Sequence, residues 1–141
     1  MFTRPNSRSW KLMPMAVLFS LAAACSDDDA TGPDADTLVG AWNVTSLQAF
    51  GVDVIDLGTT MVVTLTDNDT YSIVITGDIL EMCATAVGCT QTGSYSATST
   101  QITLDPGLAT EMIFDYSLSG TTMTATGNVN GTPINMILRK S

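Results

Sequence analysis

Few side chains in this sequence are equipped for chemistry. There is no histidine, there are three cysteines, Cys25, Cys83 and Cys89, and there are fourteen carboxylates. Lacking histidine, the chain lacks the commonest general base and a frequent zinc ligand. Five residues separate Cys83 from Cys89, which is not the Cys-x-x-Cys spacing of a redox pair. Asp53, Asp56, Asp78, Glu81, Asp105, Glu111 and Asp115 fall on connections or outward strand positions, where carboxylates are solvated. Asp67-Asn68-Asp69 offers oxygen ligands but lacks the glycine and distal glutamate of a calcium loop, so it reads as a turn. These residues point away from an enzyme, a metal centre and a cofactor. The chemistry that remains belongs to the cysteines.

Cys25 stands at the end of a leader. Arg4, Arg8 and Lys11 precede the apolar run from Leu12 to Ala24, whose 13 residues fall short of the roughly 20 a membrane-crossing helix needs. That is the plan of a signal peptide over residues 1–24. Its end, Leu21-Ala22-Ala23-Ala24-Cys25, resembles the lipobox of bacterial lipoproteins, although here Ala22 fills the place usually held by leucine. The resemblance implies that Cys25 is the lipid-attachment residue, carries acyl chains such as palmitate and becomes the new N-terminus. It also implies a cell-envelope location, with Ser26 after the cysteine fitting the outer membrane. Each buried methylene contributes about 0.8 kcal/mol, so several chains hold firmly where one does not. With Cys25 lipidated, Cys83 and Cys89 remain as an even pair in a compartment where disulfides persist, and a bridge is expected between them.

Three of the five basic residues precede Cys25 and all fourteen acidic residues follow it, so a chain processed there carries a net charge of about −12. Such a surface repels nucleic acid. The partners left are the membrane through its anchor, a small apolar ligand, or an envelope protein. Ser26 to Asp36 contains no apolar residue beyond alanine and cannot offset the entropy of ordering, so residues 25–37 read as a lipidated cysteine on a flexible acidic tether.

From Leu38 to the end, apolar residues recur with period two among Thr, Ser, Asn and Asp, which is the pattern of half-buried strands. Runs centred on Trp42, Val63, Ile73, Tyr95, Thr103, Asp115, Thr124 and Met136 make eight strands. Turn residues at Asp67-Asn68-Asp69, Ser99-Thr100, Ser119-Gly120 and Asn130-Gly131 join them as hairpins. The pattern predicts an all-β domain over residues 38–141, an eight-stranded antiparallel up-and-down β-barrel whose closure removes its exposed edges. Two connections are longer: Gln48 to Thr60, and Gly77 to Thr92, where a short helix is expected around Asp78 to Ala86.

Leu38-Val39-Gly40-Ala41-Trp42 is similar to the opening strand of lipocalin-like domains, which carry Gly-x-Trp there. The resemblance implies that a basic residue of the last strand, Arg139 with Lys140 as substitute, packs over Trp42 and closes one end of the barrel. Such a cation–π contact contributes about 0.5–2 kcal/mol. The chain is short and carries no helix after its last strand, so the nearer likeness is to compact lipocalin-like domains of bacterial lipoproteins. Trp42 is the only tryptophan beyond the leader, which disfavours a biotin-binding barrel.

The expected inward set is Met61, Leu65, Tyr71, Ile73, Tyr95, Met112, Phe114, Tyr116, Met123 and Met136, flexible and aromatic side chains that suit an adaptable apolar pocket. Eight-stranded barrels are just wide enough to be filled by their own side chains or to hold one small ligand, so filled core and small cavity both remain open. Val52, Val54, Ile55 and Leu57 make the first long connection more apolar than a solvated loop should be. They are candidates for a lid, for a partner contact, or for a short strand packed on the barrel. Two functions follow: binding of a small apolar ligand beneath that lid, or a protein-interaction or inhibitor module using loop surfaces over a filled barrel.

Overall fold

The alternation of apolar residues with threonine and serine becomes strand throughout. A computed structural model describes residues 35–85 and 87–141; the expected signal peptide, Cys25 and the expected tether up to residue 34 lie outside the described residues. A single helical turn, α1 (Ala35–Leu38), leads into β1 (Gly40–Ala49), β2 (Val52–Asp53), β3 (Thr60–Leu65), β4 (Thr70–Thr76) and β5 (Gly88–Ala97). They are followed by β6 (Gln101–Leu104), β7 (Met112–Ser119), β8 (Thr122–Val129) and β9 (Thr132–Lys140). From β3 to β9 each strand pairs antiparallel with the next, while β1 pairs with β3 on one edge and with β9 on the other. The ring is thus a closed eight-stranded up-and-down barrel, as its sequence pattern predicts. β2 is a two-residue addition, pairing Asp53 and Val52 with Gln48 and Ala49 at the end of β1.

β1 does not keep a single parity. Trp42 and Val44 face inward, the register against β9 shifts between Val44 and Ser46, and Leu47 and Ala49 then face inward. This β-bulge inserts a residue and turns the second half of the strand over. Asp53 secures it: its carboxylate accepts from Ser46 Oγ at 2.5 Å and from the N–H groups of Leu47 and Ile55, each at 3.1 Å. The Ser46 hydroxyl does most to hold the Asp53 carboxyl below its ordinary range, the two backbone bonds help, and burial opposes them.

The expected helix around Asp78 to Ala86 does not form among the described residues. Asp78 is buried, and its carboxylate takes the N–H groups of Leu80 at 3.2 Å and Cys83 at 2.6 Å. A short polar side chain that binds the backbone in this way competes with helix formation. β5 also starts earlier than expected, at Gly88, where a Cβ would lie 2.1 Å from the Ile75 carbonyl oxygen. Cys83 and Cys89 are disulfide-bonded with Cα atoms 5.6 Å apart, pinning what is left of the connection to the base of β5.

Following the strands up and down separates the two ends of the barrel. At one end lie α1, the four-residue turn 66–69, the three-residue turn 98–100 and the hairpin at Gly120. At the other lie the segments 50–59, 77–87 and 105–111 together with the β8–β9 turn.

The first end is plugged. Trp42, 1% exposed, donates its indole N–H to the Leu38 carbonyl at 2.7 Å. The Tyr95 and Tyr116 hydroxyls donate to the carbonyls of Thr66 at 2.9 Å and Thr98 at 2.6 Å. The cation over Trp42 is Lys140, its Nζ 5.4 Å from the ring centroid and donating to the Thr37 carbonyl at 2.8 Å. This corrects the choice of Arg139. Leu138 is buried inside β9, so Arg139 points out to solvent and Lys140, directly opposite Trp42, returns to the inner side.

Candidate functional site

At the other end Phe50, Glu81, Thr110 and Asn130 of the connections join the inward side chains. Together they border a half-open cavity of about 680 Å³, within the range of roughly 300–1,000 Å³ usual for small-molecule sites. Of the two interiors the sequence allows, the barrel has the hollow one. Met61, Leu65, Tyr71, Ile73, Met112, Phe114, Met123 and Met136 all line it. Tyr95 and Tyr116 are buried but belong to the plugged end, where their hydroxyls hold turns.

The wall includes residues beyond the expected set. Ile75, Ile102, Leu104, Ala125, Ile134 and Leu138 line the cavity and share the parity of their strands, so the same alternation identifies them. Leu47 and Ala49 also line it, and no sequence signal marks the bulge that turns them inward.

The lid residues do not line the cavity. Beyond Asn43, β1 leaves the β3 edge, and β2 with its following turn occupies the gap. Val54 is 2% exposed in the core, its N–H bonded to the Leu47 carbonyl at 2.9 Å, and Ile55 packs beside it. Val52 and Leu57 face solvent. This segment is therefore the packed extra strand, and Phe50, 79% exposed, is its contribution to the cavity edge. Leu57, Ile79, Val87 and Leu108 are further exposed apolar side chains on the connections at this end.

The polar part of the lining collects near β5 and the 105–111 segment. β6 is short and pairs with β5 only from Tyr95 to Ala97, so above that point the edge of β5 faces this segment. Gln91, Thr92, Asp105, Thr110 and Glu111 line the cavity here, and Glu81 joins them from the β4–β5 connection. The Asp105 carboxylate accepts from the Tyr71 hydroxyl at 3.0 Å and from Thr110 Oγ1 at 3.2 Å, both on Oδ2. Gly93 makes this possible, because a Cβ there would lie 2.0 Å from Asp105 Oδ1 and 2.8 Å from the Tyr71 ring. Burial first, and then the bond to Asp105 and its charge, push the Tyr71 hydroxyl up to about 12, so it stays a proton donor. Glu111 accepts the Gly107 N–H at 2.6 Å. Among the described residues no group of three or more His, Cys, Asp or Glu side chains is arranged to hold a metal ion.

No family model and no curated protein matches this chain. Among solved structures, a mutant of the fatty acid transporter REP1-NXSQ is similar, with 17% identity and a TM-score of 0.44 over 76% of this chain and 100% of that one. Fatty-acid-binding protein 1 of Echinococcus granulosus is similar with 14% identity and a TM-score of 0.42, over 74% of this chain and 98% of that one.

Proposed function

We propose that this chain is a lipid-anchored, lipocalin-like binding protein of the cell envelope that holds one small apolar molecule in the hollow half of its barrel. The ligand reading is carried by the cavity of about 680 Å³, walled by aliphatic, methionine and aromatic side chains. Apolar surface moved from water into such a site gains about 25 cal/mol per Å², enough to favour an uncharged hydrophobic body. A binding role, in preference to catalysis, is supported by a sequence without histidine and by the bridging of Cys83 with Cys89. The reading as an interaction module rests on a filled barrel and an exposed Val54; the hollow interior and the burial of Val54 favour the ligand reading. The anchor is supported by the basic leader and by Cys25 after three alanines, and the outer membrane by Ser26.

The test is titration of the purified protein with a neutral fluorophore that brightens in apolar surroundings. Ala125 is buried and lines the cavity, so Ala125→Phe fills the space, and it is expected to abolish binding while leaving the urea midpoint near that of the parent. Met112→Asp should also abolish binding without unfolding the barrel. Undiminished affinity in a folded Ala125→Phe variant overturns the ligand reading. Labelling of the parent with palmitate in cells, lost in Cys25→Ala, tests the anchor separately; label retained by that variant overturns the assignment of Cys25.

A further inference from the structure

We propose that the barrel selects its occupant by headgroup charge, accepting an apolar molecule with an amine or other cationic head at the cavity mouth and rejecting the acidic counterpart. This rests on the ligand-binding reading and narrows it to a ligand class.

The first observation is where the cations are. Beyond Lys11 the sequence holds two basic residues, Arg139 and Lys140. Arg139 points outward from β9, and Lys140 is engaged at the plugged end over Trp42 and on the Thr37 carbonyl. Neither lines the cavity. A carboxylate or phosphate head drawn into this barrel meets no compensating charge, and a charge removed from water without a partner is strongly disfavoured.

The second observation is the polar wall. Glu81, Asp105 and Glu111 line the cavity on the side where β5 lacks a strand partner. Asp105 is fixed in place, with Tyr71 and Thr110 both donating to Oδ2 and Gly93 leaving room for Oδ1. Tyr71, Asp105, Glu111 and Met112 all border the same space, so a head beside these carboxylates leaves its apolar body against methionine and aromatic side chains. The field of the whole chain, acidic by nine charges at neutral pH, acts in the same direction.

The experiment uses the full chain with decylamine, decanol and decanoate, each below its aggregation concentration, competing with the neutral fluorophore at neutral pH. Decanol is expected to displace the probe, and decylamine to do so at about tenfold lower concentration than decanoate. The double variant Asp105→Asn with Glu111→Gln should bring amine and acid within about threefold of each other, read as their ratio in that variant. If decanol competes but decanoate equals or surpasses decylamine, charge selection is wrong and the pocket stands. An amine preference that survives intact in a folded double variant also overturns it, because the selecting groups then lie elsewhere. If none of the three competes, the pocket reading fails and takes this inference with it.

Discussion

The two ends of the barrel are made from the same alternating strands, yet one is plugged and the other hollow. At the plugged end, Trp42, Tyr95 and Tyr116 are buried and each places its polar tip on a backbone carbonyl. Large aromatic side chains can be buried at modest cost when the indole N–H or phenol O–H finds such a partner. The cavity wall includes Ala49, Ala125 and the flexible Met61, Met112, Met123 and Met136. The connections differ in the same sense: short turns at the first end, and at the second longer segments tied by Asp53, Asp78 and a disulfide. A barrel of this size can therefore combine a plugged end with a cavity.

The largest expected effect comes from removing the plug. Trp42→Ala should destabilise the fold by about 3–5 kcal/mol in urea unfolding, as buried tryptophan truncations do. A loss below 1 kcal/mol would show that the plugged end does not hold the barrel together.

Alkaline titration gives a second, smaller effect. All three tyrosines have raised values, chiefly through burial, with Tyr71 at about 12. A folded-state value above the unfolded one contributes stability that is complete below the ordinary phenol value of 10 and is lost as pH rises through about 12. Tyrosinate absorbance and circular dichroism recorded together should show ionisation lagging behind that of free tyrosine and the fold weakening across that window. A midpoint of 10 for all three phenols in a folded protein would contradict this.

The smallest effect separates two neighbours. Lys140→Ala should cost about 0.5–2 kcal/mol through the Trp42 contact, and Arg139→Ala, on the outer face, less than about 0.5 kcal/mol. Equal losses would mean that the cation over the indole contributes nothing.

Strand positions were readable because period two is a local property: Met61, Leu65, Tyr71, Ile73, Phe114 and Met136 needed only their neighbours' polarity to be placed inside. The same rule, applied strictly to β9, selects Lys140 over Arg139, since Leu138 already fixes which residues face in. The segment from Val52 to Leu57 was legible as too apolar for a loop, but its destination depended on where β1 parts from β3. Of the apolar side chains that suggested a lid, Val54 and Ile55 instead pack into the core while Val52 and Leu57 face solvent. Leu47 and Ala49 were out of reach for a different reason, because a one-residue bulge reverses parity without altering composition.

The sequence by itself determined the eight strands of the ring, the antiparallel hairpin order, the inner face of most strands and the availability of Cys83 and Cys89 as a pair, because alternation, turn residues and cysteine number act over a few residues. Only the tertiary structure decided that the interior is hollow, that Val54 is buried and that Asp105 meets Tyr71 across the space left by Gly93. Those outcomes depend on distances between residues far apart in the chain, fixed only when β1 and β9 close the ring.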